Sequence, residues 1–203
     1  MNGKKRTPRG RPQKLRRDRV INVAMESYWA NGPENVSVNE ICKLAEVSKP
    51  SLYREFGSED GLQEAVLVTY CDTALSQLYA VLRSDQPFYA SVDAVTSLFL
   101  TARAEFPTPR GCLLRDMSDC LDQLGDQTQK TVAVKLQDGR SQYASWIKRA
   151  IERGEATTSV PIDVAATYID LQIGNAMTLN KQSAPDGVIQ DVMQLSFSVF
   201  RGS

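Results

Sequence analysis

The side chains best suited to a specific contact lie in the run Ser48-Lys49-Pro50-Ser51-Leu52-Tyr53-Arg54. A lysine ammonium can donate hydrogen bonds to guanine O6 and N7, and a proline ring can contact a thymine methyl group. Tyrosine and arginine side chains one helical turn further on can donate to phosphate oxygens. The run therefore offers groups for both the base edges and the backbone of double-stranded DNA. The alternative for Tyr53 is a core position, and for Arg54 a solvated surface position.

Two short helices joined by a tight turn would position these residues. Ser37 with Glu40 three residues later is typical of a capping box, and predicts a helix from Val38 to about Ala45. Ser48 is typical of a second N-cap, with Pro50 in the first turn, where a missing N–H is tolerated. The second helix enters the DNA major groove in a helix-turn-helix unit, with its N-terminal residues nearest the bases. The predicted core of the pair is Ile41, Cys42, Ala45, Val47, Leu52 and Phe56.

Residues 38–57 resemble the helix-turn-helix of the TetR family of repressors. The resemblance lies in the runs Ala45-Glu46-Val47-Ser48-Lys49 and Leu52-Tyr53-Arg54-Glu55-Phe56, and in Ser58 to Leu62. It implies a symmetric dimer that binds a palindromic DNA operator and is released by a small-molecule effector. The candidate DNA contacts are Ser37, Ser48, Lys49, Pro50, Ser51, Tyr53 and Arg54.

Two residues depart from the family pattern. The family often has glycine in the turn where this chain has Glu46, so we expect a non-glycine residue at positive φ. The family also often has a lysine after the cap of the fourth helix, where this chain has Glu59. A carboxylate there suits the helix dipole but repels DNA, so that phosphate contact is not expected.

The charge is distributed unevenly along a chain whose formal net charge is zero. Residues 1–57 contain 12 basic and 6 acidic residues, and residues 58–203 contain 12 and 18. This asymmetry indicates a polyanionic partner for the N-terminal part, although a solubilising tail has the same composition. Pro8-Arg9-Gly10-Arg11-Pro12 resembles the core of an AT-hook, in which Arg9 and Arg11 would enter a narrow minor groove.

Helical periodicity predicts an all-α chain of about nine helices. Residues 1–12 are predicted to form a flexible basic arm, residues 13–57 the DNA-binding domain, and residues 58–203 a regulatory and dimerisation domain. After the first three helices, helices are expected at about 59–83, 88–106, 110–124, 127–153, 161–180 and 186–201. The Asp138-Gly139 pair could interrupt the longest of these.

The family resemblance implies that the last two helices form the dimer interface. Gly174 and Ala176 would allow a close approach of helices, and the seam would contain Val188, Val192, Leu195, Val199 and Phe200. An intramolecular core face fits the same pattern. Candidate effector contacts, each of which has a core or surface position as its alternative, are Phe99, Arg103, Phe106, Cys112, Met117, Tyr143, Trp146 and Gln172.

Cys112 follows Pro109-Arg110-Gly111, a segment that resembles one in a TetR branch with cysteine sensors of electrophiles or oxidants. Arg110 and a helix N-terminus would both lower the pKa of this thiol. The alternative is that Cys112 is a small buried apolar residue.

The absence of histidine excludes Ser-His-Asp and Cys-His catalysis and histidine-containing zinc sites. The sequence contains no phosphate-binding loop or dinucleotide fingerprint, so we expect neither an enzyme nor a cofactor. The alternative is an enzyme that uses a catalytic pair of carboxylates. The four cysteines include no Cys-x-x-Cys pair and are expected to be reduced, in a cytoplasmic protein. No membrane span is expected, because no uninterrupted apolar run reaches 18 residues. The alternative function is an architectural protein that binds A·T-rich DNA without ligand control.

Overall fold

A computed structural model describes residues 13–105 and 110–202 of the chain. These residues form nine helices and no strands, which confirms the all-α prediction for this part of the chain. Three short 3₁₀ turns follow the first, sixth and ninth helices. The helices are α1 Gln13–Asn31, α2 Val38–Leu44, α3 Lys49–Phe56, α4 Glu59–Arg83, α5 Phe88–Glu105, α6 Leu113–Asp119, α7 Asp126–Glu152, α8 Ile162–Lys181 and α9 Asp186–Phe197.

Local capping signals set the boundaries of the N-terminal helices. The Oγ atoms of Ser37, Ser48 and Ser58 accept hydrogen bonds from the backbone N–H three residues on, at 3.2, 3.4 and 3.0 Å. These bonds satisfy N–H groups that have no partner within the helix. Gly32 and Gly57 follow α1 and α3 with φ of 86° and 78°, a backbone conformation that costs glycine little.

The apolar faces of the first three helices form one core. Val20, Ala24 and Tyr28 of α1 are buried, as are Ile41 and Leu52 of the helix pair. Val47 and Phe56 are half-buried against this core, and Cys42 is buried within it. Burial of these side chains removes apolar surface from water, which fixes the angle between α2 and α3.

Helix α4 leads from the first three helices into the remainder of the chain. By length and composition alone it is apolar enough to cross a membrane, a test that buried core helices also pass. Leu62, Val66 and Leu67 are, however, fully buried against neighbouring helices, as in the core helix of a folded domain. A π-helical turn at Cys71–Leu75 widens the helix where it passes α7.

Two other boundaries differ from the sequence-based prediction. The helix expected from residue 110 begins at Leu113, because Gly111 adopts φ of 94°, and its last part is a 3₁₀ turn at Leu121–Gln123. Helix α7 continues through Asp138-Gly139. A Cβ atom at Gly139 would lie 2.8 Å from the Tyr79 hydroxyl, so glycine here makes room for a tyrosine rather than breaking the helix.

The predicted dimer seam divides into two groups. Val188, Leu195 and Val199 are exposed, and Val192 is half-buried. Phe200 instead lies in an aromatic cluster with Phe88, whose ring centroid is 6.0 Å away. Gly174 and Ala176 are buried within the chain, and Gly174 makes room for the Arg115 guanidinium, which would lie 2.4 Å from a Cβ atom. The small residues of α8 therefore serve intramolecular packing rather than the approach of a partner helix.

Candidate nucleic-acid interface and regulatory cavity

The turn between α2 and α3 places the start of α3 at the protein surface. Glu46 adopts φ of 56°, which confirms the expected non-glycine residue in the left-handed region. The N–H of Val47 donates to the carbonyl of Cys42 at 2.9 Å and closes the turn. The Glu46 carboxylate lies 3.0 Å from the Arg19 guanidinium, so an ion pair joins the turn to α1.

The N-terminal half of α3 presents an exposed donor surface. Lys49, Pro50 and Arg54 are exposed, and Ser51 and Tyr53 are half-buried. The Lys49 ammonium lies 5.6 Å from the centre of the Tyr53 ring, within the range of a cation–π interaction. The Arg54 guanidinium donates to Ser51 Oγ at 3.2 Å. The structure thus brings these five residues together on one surface, next to Ser48.

The remaining candidate DNA contacts lie in two places. Ser37 lies at the N-terminus of α2, where its hydroxyl accepts the capping hydrogen bond. Arg9 and Arg11 lie outside the described residues. The role of each residue in binding DNA stays a prediction.

Sequence reasoning missed the function of two arginines of α1. Arg17 lies 3.4 Å from the Glu55 carboxylate, and its guanidinium packs over the Phe56 ring at 5.1 Å. Arg19 binds Glu46. Basic residues of the positively charged N-terminal part therefore also join α1 to the turn before α3 and to the C-terminal end of α3. The partners of Arg17 and Arg19 lie 38 and 27 positions away in the sequence. Two arginines two residues apart on a helix do not indicate such distant partners.

The predicted effector contacts do not come together in one site. Cys112 and Tyr143 line the same small cavity of about 20 Å³, which has room for a single water molecule. Met117 and Trp146 are buried in the core, where Trp146 lies 4.5 Å from Phe88 between ring centroids. The Phe99 carbonyl accepts a hydrogen bond from Asn180.

Three predicted contacts lie elsewhere or are not described. The Gln172 side chain accepts a hydrogen bond from Ser196 Oγ at 3.0 Å, between α8 and α9. The side chain of Arg103 and the whole of Phe106 lie outside the described part of the structure. Their contact with a ligand is still a prediction.

A larger cleft opens between α4 and α7 and adjoins the small cavity. Its volume is about 470 Å³, within the range of small-molecule sites. The cleft and the small cavity share three lining residues, Leu75, Tyr79 and Lys135. The cleft therefore adjoins the Arg115–Asp170 ion pair, which lines the small cavity and whose charged atoms are 2.6 Å apart. The remaining lining residues of the cleft are Cys71, Asp72, Ser76, Arg83, Asp138, Ser141 and Gln142.

Burial governs the chemistry of Cys112. Desolvation raises the pKa of its thiol, although hydrogen bonds with Tyr70 and with backbone N–H groups act in the opposite direction. The Arg110 guanidinium binds the Ser183 hydroxyl at 2.5 Å. The backbone N–H groups of Leu114 and Arg115, at the start of α6, lower this pKa as predicted for a helix N-terminus, but burial outweighs them and the net pKa is raised. The predicted contribution of Arg110 is wrong, and Cys112 is a buried residue.

Native thiols are expected to react slowly with a disulfide reagent at pH 8. All four cysteines are buried and unpaired, and burial raises the pKa of Cys71 to about 12 and that of Cys120 to about 11. Since the thiolate is the reactive form, Cys71 should react about a thousandfold more slowly than an unfolded cysteine, and its rate should rise with pH up to the raised pKa. Spectrophotometric thiol counting before and after urea unfolding measures this. A native thiol that reacts at the unfolded rate would contradict it.

Comparisons with known proteins agree with the geometry. The family model described as "Bacterial regulatory proteins, tetR family" matches residues 20–66, which span α1 to the first part of α4. The HTH-type transcriptional repressor ComR of Escherichia coli is 24% identical over 198 residues, which cover 95% of this chain and 91% of ComR.

Solved structures show the same fold over nearly the whole chain. A TetR-family regulator from Agrobacterium tumefaciens superposes with a TM-score of 0.82 at 13% identity, covering 93% of this chain and 99% of that one. The regulator CifR, solved in complex with a 26-bp operator DNA, superposes with a TM-score of 0.70 at 18% identity, covering 96% of this chain and all of that chain. Helix-turn-helix geometry and the family match identify residues 20–66 as a DNA-binding region of the TetR type, and the chain as a whole has the fold of TetR-family regulators.

Proposed function

We propose that this protein is a homodimeric repressor that binds a palindromic operator through α3 and leaves it when a small molecule enters the cleft between α4 and α7. The observation that carries the proposal is the exposed donor surface of α3, where Lys49, Pro50 and Ser51 lie at the end of the helix that meets base edges in this type of unit. One α3 helix reads few base pairs. Two of them related by a two-fold axis read half-sites about 34–36 Å apart.

Apolar residues on the surface of α8 and α9 support dimerisation. Leu171 of α8 is 52% exposed, and Leu195 of α9 is 73% exposed. Val164 lies seven residues before Leu171, and Val188 seven residues before Leu195, so each helix presents an apolar stripe. Exposed apolar patches of this kind mark protein interfaces. The same patch on a second copy is self-complementary, as a two-fold dimer requires.

Leu195→Glu is expected to convert a dimer into a monomer at micromolar concentration. Two carboxylates brought into an apolar seam lose their hydration without gaining partners, whereas the isolated subunit keeps its fold because Leu195 is exposed in it. Light scattering measures the mass. The matched control is Val134→Glu on α7, since Val134 is 57% exposed but lies outside α8 and α9. A wild-type monomer, or a Leu195→Glu dimer, would contradict this seam.

The cleft between α4 and α7 supports control by a small molecule. Most of its lining side chains are polar or charged, and Cys71, Leu75 and Tyr79 supply the apolar surface, so the cleft suits a polar or charged small molecule. It also lies against α4, the helix that continues from the DNA-binding domain. A ligand that fits the cleft better in one arrangement of α4 and α7 shifts the protein towards that arrangement.

Selection of bound duplexes from a random pool tests the proposed function. We expect the selected DNA to contain a palindrome with half-sites one helical turn apart, because a two-fold dimer imposes its symmetry on the site. A pool enriched only in A·T-rich sequence, without symmetry, would support the architectural alternative. Recovery of no preferred sequence would contradict the proposed function altogether.

A further inference from the structure

Asp60, in the first turn of α4, supplies the cap for a helix that begins 66 residues later. Its carboxylate accepts hydrogen bonds from the backbone N–H groups of Gln127 and Thr128, at 3.0 and 2.9 Å. The Thr128 hydroxyl lies 2.6 Å from Asp60 Oδ1 and 3.0 Å from the Asp60 carbonyl oxygen. These N–H groups belong to the first turn of α7 and have no partner within that helix. We call Asp60, Gln127 and Thr128 the Asp60 clasp.

Asp60 is the residue that caps the N-terminus of α7. The N-cap residue of α7 is Gly125, which has no side chain to cap with. A Cβ atom at Gly125 would lie 2.3 Å from the Asp60 carboxyl carbon, so glycine admits the carboxylate. Burial raises the pKa of Asp60, but the hydrogen bonds from Thr128 and Gln127 outweigh it and lower the pKa. The group therefore carries a negative charge at the positive end of the α7 dipole.

A second pair of contacts extends the clasp by one turn. Glu64 lies four residues after Asp60 on the same face of α4. Its carboxylate accepts a hydrogen bond from Thr131 Oγ at 2.8 Å and another from the side chain of Gln127. The start of α4 is thus fastened to the start of α7 by two carboxylates.

The other side of the same turn touches the DNA-reading helix. Gly61 packs so closely on the end of α3 that a Cβ atom would lie 2.1 Å from the Phe56 carbonyl oxygen. Ser58 caps α4 through the N–H of Gly61. One helical turn of α4 is therefore in direct contact with α3 on one side and α7 on the other.

Helix α7 connects this turn with the cleft. Lys135, Gly139 and Tyr143 of α7 line the cleft or its inner cavity. The helix is continuous from Asp126 to Glu152, so a shift or rotation at Lys135 is carried to Thr128 less than two turns away. No flexible loop separates the wall of the cleft from the clasp.

We propose that Asp60 is a positioning residue for DNA binding: the clasp holds the first turn of α4, and through it α3, in the orientation that DNA requires, and a displacement of α7 releases it. The regulatory part of this inference rests on the proposed function. The part concerning DNA affinity requires no effector and is tested with the duplex selected above.

The clasp and simple electrostatics predict opposite effects of Asp60→Asn on DNA affinity. Removing a negative charge from the DNA-binding side of the protein should by itself tighten DNA binding. Loss of the charged cap should instead weaken it by about tenfold, a typical strength for coupling between sites. The matched control is Glu59→Gln, which removes the same charge from the neighbouring residue, an exposed side chain outside the clasp. Binding titrations on the selected duplex measure both variants.

Amide hydrogen exchange, measured on the wild-type protein and on Asp60→Asn, separates a positioning role from a merely structural one. Because linkage is reciprocal, DNA bound at α3 should slow exchange at Gln127 and Thr128, and Asp60→Asn should abolish this effect. Exchange at these amides that DNA leaves unchanged in the wild type would overturn the inference. So would an Asp60→Asn protein that binds the duplex as tightly as Glu59→Gln. Either result would leave sequence-selective binding, and hence the proposed function, untouched.

Discussion

Gly61→Ala is expected to destabilise the protein by about 2–3 kcal/mol, the cost of forcing an extra carbon into a filled space. The added Cβ would lie 2.1 Å from the carbonyl oxygen of Phe56. This neighbour is a backbone atom at the end of α3, so no side chain can rotate to make room. Relief requires a shift of α3 against α4, and a lower DNA affinity should therefore accompany the loss of stability. Urea unfolding gives the first quantity, and a binding titration on the selected duplex gives the second.

Gly187→Ala is the matched control. Gly187 lies in the first turn of α9, and a Cβ atom there would meet nothing within 4 Å. Alanine at an unobstructed helical position is favoured over glycine by roughly 0.5–1 kcal/mol. The two substitutions should therefore change the free energy of unfolding in opposite directions. A Gly61→Ala protein as stable as the wild type would show that α3 and α4 are not in the close contact described.

The DNA-binding part was predictable from the sequence because its signals are local. Three serines, Ser37, Ser48 and Ser58, each accept a hydrogen bond from the N–H group three residues later. This spacing can be recognised from the sequence alone. The left-handed backbone at Glu46 followed from the resemblance, since a turn that favours glycine keeps its conformation when another residue occupies it. Apolar residues recur every four positions at Val20, Ala24 and Tyr28 and at Leu62 and Val66, and this helical periodicity predicts the buried faces of α1 and α4.

The C-terminal part, residues 58–203, was less predictable because its contacts join distant residues. The cleft depends on a π-helical turn in α4 and on Gly139 facing Tyr79 from another helix. Periodicity showed that Met117 and Trp146 are apolar and helical, but a core position and a ligand contact share that pattern. The partners of Asp60 lie 67 and 68 residues away, and no capping signal in the α7 sequence indicates a cap supplied by another helix.

Two ion pairs join helices that are distant in the sequence. Arg115 binds Asp170, whose backbone carbonyl and carboxylate both lie 2.6 Å from one guanidinium nitrogen. Lys181 binds the Asp116 carboxylate at 2.7 Å. These pairs fasten α6 to α8. Their members are 55 and 65 positions apart, so no local sequence pattern indicates the pairing.

The double replacement Lys49→Ala and Tyr53→Phe should weaken binding to the selected duplex by about a hundredfold. Each of the two lost donors contributes about 1–3 kcal/mol when it meets a base edge or a phosphate, and 1.4 kcal/mol is a factor of ten. Phenylalanine keeps the half-buried ring of residue 53, and Lys49 is exposed, so the fold should persist. Removing one cation should also lower the slope of log affinity against log salt by about 1.

The most direct test of the central claim is a titration of this double variant against the selected duplex and a scrambled duplex of the same length. Lys148→Ala is the control, since it removes an exposed lysine from α7, remote from α3 in the sequence. We predict that the double variant loses its preference for the selected duplex, whereas Lys148→Ala keeps it. Undiminished preference in the double variant would show that the N-terminal half of α3 does not read the DNA.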